Sequence, residues 1–294
     1  LPRRVGVRSK MPSNPNHDST SILIGIKQHS HHGWLTALVP LALTLTVATL
    51  ALAHGPADIP VWTVIKIIAS NITQIDVVQS WPNSWETIVW DIRLPRVIAA
   101  MLIGCSLAIA GGTYQGLFRN PLADPYLIGV ASGAGLAATI VIISPIPNYL
   151  WGINLVPPLA FLGALLAVAM AYTLSKGSDT RSTNSLVLAG VAVTFMASSM
   201  TTFLMIRASS DMRPVLNWLL GSVSQGGWSS MLWLLPYVLP CSIAILLHGR
   251  TLNVLQLDRD HATRLGVNVD RIKALLIVCA SLTTAAAVSV SGMI

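Results

Sequence analysis

Residues 91–129 read DIRLPRVIAAMLIGCSLAIAGGTYQGLFRNPLADPYLIG. Arg93 and Arg96 bracket Pro95 at the head of the stretch, and an apolar run follows from Val97 to Ala110. Gly111, Gly112 and Gly116 lead out of it into a polar knot, Arg119-Asn120-Pro121-Leu122-Ala123-Asp124-Pro125. A helix needs about 20 mostly apolar residues to cross ~30 Å of hydrocarbon. The stretch therefore reads as a spanning helix with arginines at its mouth and a rigid, two-proline turn at its exit.

The bulk numbers point the same way. The chain is 53% hydrophobic and 10% charged, with mean hydropathy +0.66, where a soluble domain carries roughly 25% charged residues. Further apolar runs occupy 34–53, 126–143, 157–174, 186–206, 229–247 and 272–290. They are continuous rather than alternating in ~10-residue pieces, which excludes a transmembrane β-barrel. The fold class is all-α: a polytopic transmembrane helical bundle of about seven spans. Residues 54–90, with Asp58, Lys66, Asp76 and Glu86, are mixed, partly amphipathic and too polar to span. Cys105, Cys241 and Cys279 lie singly in apolar runs and read as small buried residues.

Residues 1–33 are polar and hold Arg3, Arg4, Arg8, Lys10 and Lys27 against a single Asp18. They read as a basic, disordered cytoplasmic tail, ahead of a membrane domain over 34–294. Cytoplasmic segments carry the excess of Lys and Arg. With the N-terminus inside, those five cations join Arg119, Lys176, Arg181, Arg250, Arg259, Arg264, Arg271 and Lys273 on the inner face. Lys66, Arg93, Arg96, Arg207 and Arg213 remain outside. The net charge of +7 thus reflects cytoplasmic loops rather than nucleic acid, and Arg93 and Arg96 stand on the outer face against the trend.

The motifs exclude several chemistries. No GxxxxGK[ST] phosphate loop and no HExxH occurs. Gly129, Gly133 and Gly135 sit within an apolar span and form no dinucleotide fingerprint. Ion-coupled pumps place Asp, Glu, His or Lys at depth, and these spans have none. If cargo moves uphill, the energy comes from a partner. No cofactor, metal site or enzymatic acid–base–nucleophile set is expected.

Four features carry mechanism. Arg93 and Arg96 suit either snorkelling to lipid phosphates or docking to carboxylates of an external partner, because guanidinium forks pair bidentately with Asp or Glu. Gly104, Ala108, Gly112 and Gly116 form an i, i+4 stripe suited to close helix packing in lipid. Gly190, Thr194, Ser198 and Thr202 form a second stripe, read as packing or as the lining of a polar pathway. Residues 255–270, LQLDRDHATRLGVNVD, place Asp258, Arg259, Asp260, His261 and Arg264 opposite Leu257, Ala262 and Leu265, with Gly266 as C-terminal cap. This inner segment is either a solvated loop or a lever fitted into an ATPase.

RLPR before an apolar span, then Gln115, then NPLADPYLIGVASGAG resemble the FecCD/vitamin B12-type permease family of ABC importers. Leu188-Ala189-Gly190, Trp218-Leu219-Leu220-Gly221-Ser222 and ATRLGV do so as well. The resemblance covers 34–294. It implies ten helices per subunit, a homodimer or a pair with a second permease, two cytoplasmic ATPase subunits and an extracytoplasmic substrate-binding protein. It assigns Arg93 and Arg96 to binding-protein docking, and the loop around Asp258–Gly266 to coupling with the ATPases. Ser182, Thr183 and Asn184 fall where the family's inner gate lies, and Gln115, Asn120, Pro121, Asp124 and Pro125 form its structural motif.

The expected protein is a multi-pass permease of the cell (inner) membrane carrying an iron chelate, cobalamin or haem-type cargo. The family continues beyond the seventh span, so the chain reads as C-terminally truncated. The alternatives are a zinc or manganese ABC permease, which needs metal-friendly side chains along the path, and a lipid-modifying membrane enzyme.

Overall fold

In the computed structural model the described residues are 33–73, 79, 81–145, 147, 149–150, 153–176, 183–208, 212–223, 227–255 and 268–294. The chain divides into two contact units, Leu1–Val61 and Trp62–Ile294. In the first, α1 (Gly33–Ala53) is apolar on every side, with Val39, Leu41, Leu43, Leu45 and Val47 all exposed. A helix hydrophobic all round suits hydrocarbon rather than water. Its threonine hydroxyls turn back onto the helix, Thr44 donating to the Pro40 carbonyl at 2.8 Å and Thr46 to that of Ala42 at 2.8 Å.

The second unit is built of helices in chain order. These are α2 (Val61–Thr73, starting at the boundary), α3 (Asn83–Phe118), a 3-10 turn (Pro125–Ile128), α4 (Val130–Ile143) and α5 (Val156–Lys176). After them come α6 (Thr183–Arg207), α7 (Arg213–Leu219), α8 (Trp228–Leu247), α9 (Gly249–Leu255) and α10 (Val269–Ser291). A hairpin of two-residue strands, Tyr149–Leu150 against Ile153–Asn154, joins α4 to α5. All seven expected runs are helical. Among the described residues four helices are long and apolar enough to cross a bilayer, or five when the bent α8–α9 pair counts as one span. The shortfall has a physical reason at α4, whose 14 residues rise only about 21 Å at 1.5 Å each and are entered through the 3-10 turn.

Two expectations need correction. The helix of the opening stretch does not begin beside Arg93: α3 starts at Asn83, so the arginines stand inside a 36-residue helix. Pro95 lacks an N–H, and its ring would clash with the carbonyl one turn back. The backbone meets this with a wide turn over Ile88–Arg93, where Leu94 N–H bonds to the Val89 carbonyl five residues back. Within 54–90, read as partly amphipathic and too polar to span, Val61–Thr73 forms α2 and Asn83 opens α3. α2 buries Val64 and Ile67 while exposing Trp62, Ile65 and Ile72, and its Asn71 donates to Glu86 Oε1 of α3 at 3.1 Å.

The stripe at Gly104, Ala108 and Gly112 is the second correction. Among the described residues of this chain nothing covers it: a Cβ on Gly104 or Gly112 would meet nothing within 4 Å. Only Gly116 is buried, against Leu252. Close packing of small residues occurs instead between α4 and α5, at Gly133 and Gly163. Cys241 and Cys279 are buried as expected, whereas Cys105 is exposed on α3.

The core gathers on α10, buried over 67% of its apolar window against 33% for α3 and 28% for α5. It packs against α3, α4, α5 and α8. Its hydroxyls are satisfied locally, Thr284 donating to the Ala280 carbonyl at 2.8 Å and Ser291 to that of Ala287 at 2.9 Å. Tyr114 of α3, fully buried, bonds through its hydroxyl to Ser281 Oγ at 2.7 Å. That bond ties the opening helix to the central one.

Candidate functional site

The knot after α3 is set residue by residue. Arg119 ends the helix in the left-handed region (φ 49°, ψ 36°), and Asn120 N–H bonds back to the Gln115 carbonyl at 3.2 Å. Asn120 Oδ1 accepts from Leu122 N–H at 2.9 Å, closing an Asx turn over Pro121. Asp124 Oδ1 accepts from Tyr126 N–H at 2.7 Å and caps the 3-10 turn, with Pro125 at its first position. Gly129 then takes φ +88°, a conformation few other residues hold, and hands the chain to α4. Leu122, 84% exposed, forms the tip of the knot.

Two other helices meet this end. The 3-10 turn rests on α6 at Gly190, where a Cβ would collide with the Leu127 carbonyl and stand 2.7 Å from Ile128 Cα. That contact explains the glycine of the Leu188-Ala189-Gly190 motif. α9 approaches from the other side: Leu252 covers Gly116, and Arg119 Nη2 donates to the Leu255 carbonyl at 3.0 Å. Along the end of α3 and the knot lies an open groove of about 450 Å³ lined by Gly112, Gln115, Gly116, Arg119, Asn120 and Pro121.

The stripe on α6 divides in two. Gly190 and Thr194 face the 3-10 turn and Gly129, and the Thr194 hydroxyl is buried with no hydrogen-bond partner among the described residues. Ser198 and Thr202 are exposed, Thr202 donating to the Ser198 carbonyl at 3.0 Å. Phe195, Met196, Met200 and Phe203 are exposed on the same helix. Thr183 and Asn184 open α6 at the knot's end of the bundle, whereas Ser182 lies outside the described residues.

At the opposite end of α3, Arg93 is half-buried and Arg96 exposed. Trp90, one turn before Arg93, meets Trp228 at the start of α8 with ring centroids 5.6 Å apart. α3 and the α8–α9 pair therefore share both ends: a tryptophan pair beside the arginines, and the Arg119–Leu255 bond beside the knot. Paired tryptophans suit the headgroup level of a membrane.

The charged segment holding Asp258, Arg259, Asp260, His261, Arg264, Leu265 and Gly266 lies outside the described residues. Its flanks do not: Leu255 is held by Arg119, and Asn268 caps α10, its Oδ1 accepting from Arg271 N–H at 3.2 Å. Trp218–Ser222 is anchored to the end of α10. Ser222 N–H bonds to the Ser291 carbonyl at 2.6 Å, and Gly221 (φ +72°) and Gly292 (φ +75°) permit the approach. Sequence reasoning counted Arg119 only as an inner-face cation and missed Tyr114 and Leu252. Their partners lie more than a hundred positions away, and no local pattern announces them.

Residues 43–294 match the sequence model of the FecCD transport family. The cobalamin import system permease protein BtuC of Halobacterium salinarum is 37% identical over 256 residues, covering 87% of this chain and 67% of that protein. The hemin transport system permease protein HmuU of Yersinia pestis is 37% identical over 228 residues, covering 73% of this chain and 66% of that one. The chain thus spans about two thirds of the length of these curated relatives. Among solved structures, a metal-chelate type ABC transporter in an inward-facing conformation superposes with TM-score 0.73 at 26% identity, covering 88% of this chain and 77% of that one.

Proposed function

The chain belongs to the FecCD transport family, and from that premise we propose that it forms the permease subunit of a binding-protein-dependent ABC importer. The cargo is an iron chelate, a cobalamin or a haem-type molecule; the names of its relatives, which give cobalamin, hemin and a metal chelate, support this range. The subunit works as a homodimer or a pair with a second permease, in the cell (inner) membrane with its N-terminus cytoplasmic. Two ATPase subunits and an extracytoplasmic binding protein complete the assembly.

The observation that carries the reading is α3, one helix with Arg93 and Arg96 near one end and the knot at the other. In this reading a loaded binding protein docks its carboxylates on Arg93 and Arg96 of both subunits. Closure of the ATPases moves residues 258–266. The inner end of the path, with Thr183 and Asn184 at the start of α6 and Asn120 in the knot, then changes access. Thr194, Ser198 and Thr202 supply hydroxyls along α6 without a fixed charge. Moving a two-state equilibrium from 1:99 to 99:1 takes about 5.5 kcal/mol of differential binding, which ATP supplies through the partners. The permease performs no covalent chemistry.

The test is reconstitution of the full-length permease with its ATPases and binding protein in liposomes. ATP-dependent uptake of a ferric chelate, cobalamin or haem supports the proposal. ATP turnover that no loaded binding protein stimulates, with none of the three cargoes imported, overturns it.

A further inference from the structure

We propose that Arg119 is a positioning residue that transmits movement of α9 to the inner end of α3. The inference rests on the permease reading and names the joint through which that device acts.

The backbone supplies the first argument. Arg119 is the one non-glycine residue with positive φ among the described residues. A residue in this position after a helix is usually Gly or Asn, because a Cβ is strained in the left-handed region. An arginine held there needs work for its side chain. That work is visible: its Nη2 donates to the Leu255 carbonyl at 3.0 Å, across 136 positions of sequence. The last carbonyls of a helix have no partner within it, and a rigid, permanently charged guanidinium suits them.

The second argument is that the contact is double. Leu252, one turn before Leu255, lies on Gly116, one turn before Arg119, where a Cβ would stand 3.0 Å from the leucine side chain. Residues three apart on one helix thus grip residues three apart on the other. α9 is short and is set off from α8 by a 56° bend. At the bend an added Cβ on Gly249 would meet nothing within 4 Å, while His248 N–H bonds to the Ala244 carbonyl at 3.2 Å and Leu252 N–H to that of His248 at 2.8 Å, so α9 is carried on α8 as a bent arm. A short arm, bent from α8 and clamped at its far end to the helix that leads into the knot, converts displacement of α9 into displacement of the α3 exit.

The experiment uses the full-length permease assembled with its ATPases and binding protein in liposomes, comparing wild type, Arg119→Ala, Arg119→Lys and Leu252→Ala. Two quantities are read: cargo imported per ATP hydrolysed, and amide exchange over residues 249–255. Arg119→Ala is expected to lower cargo per ATP about tenfold while ATP turnover persists, and to speed exchange near Leu255 about tenfold. Arg119→Lys, which keeps a cationic donor, recovers most of both. Leu252→Ala, which leaves the charge in place, shifts cargo per ATP in the same direction by about threefold. Import and ATP turnover falling together, with their ratio unchanged, overturn the transmission role, as does unaltered exchange. A wild-type assembly without ATP-driven import overturns the permease reading and the transmission role together, while the exchange rates still report whether the clamp exists.

Discussion

Gly133 of α4 and Gly163 of α5 stand back to back where their helices cross. A Cβ on Gly133 would lie 2.5 Å from the Gly163 carbonyl oxygen, and one on Gly163 would lie 2.6 Å from the Gly133 carbonyl oxygen. The listless appearance of glycines in an apolar run hides this difference between places where a methyl fits and places where it cannot. In lipid the hydrophobic effect does not drive helices together, so such close approach is a main source of their association.

Gly133→Ala is therefore expected to lower stability by several kcal/mol, beyond the ~1–3 kcal/mol typical of overpacking, because backbone must move. Gly104→Ala, with nothing within 4 Å of the new methyl, is expected to be neutral or to stabilise by up to ~1 kcal/mol through helix propensity. Thermal unfolding of the two variants in detergent checks the contrast. Equal melting temperatures would mean the crossing is looser than described.

Tyr114→Phe removes the hydroxyl that bonds Ser281 Oγ at 2.7 Å. A polar bond between helices in a membrane contributes about 0.6–1.7 kcal/mol, so a loss of that size is expected. Ser281→Ala should add little on top of Tyr114→Phe, since both remove one bond. A double-mutant cycle on unfolding free energies measures this, and full additivity would refute the pairing.

Asp124→Ala deletes the cap on Tyr126 N–H and is expected to cost about 1 kcal/mol, whereas Asp124→Asn keeps a capping oxygen and costs less. The order of the two melting temperatures reports it. The reverse order would show that charge, not the cap, matters at this turn.

Charge reversal at Arg93 and Arg96 is expected to abolish stimulation of ATP turnover by the binding protein while leaving unstimulated turnover in place. Glutamate at both positions would repel a carboxylate-bearing partner. Stimulation that survives the double reversal removes the arginines from docking.

Much of the fold was legible. The runs giving α5, α6 and α10 are apolar enough to declare themselves by length alone, and the knot announced its turn through Asn-Pro and Asp-Pro. The start of α3 was not legible, because Asn83, Glu86 and Asp91 look like loop until Pro95 is seen inside a helix that widens to admit it. The stripe at Gly104, Ala108 and Gly112 misled for a related reason: spacing fixes which residues share a face, not whether another helix covers it. The Arg119–Leu255 bond had no local signal at all, since the guanidinium and its acceptor are neighbours only once α9 has folded back.

The wide turn over Ile88–Arg93 has a further consequence, best put in terms of angular phase. An α-helix advances about 100° per residue, and a turn bonded five residues back takes in one residue more than the α pattern does. The residues that enter the turn, Trp90 among them, are thereby rotated against everything after it. Trp90 points to Trp228 on one setting of that dial, while the segment that carries Tyr114 to Ser281 keeps another. Deleting one of Asp91, Ile92 or Arg93 would reset the dial by about 100° and part the two tryptophans, without changing a single side chain in the knot.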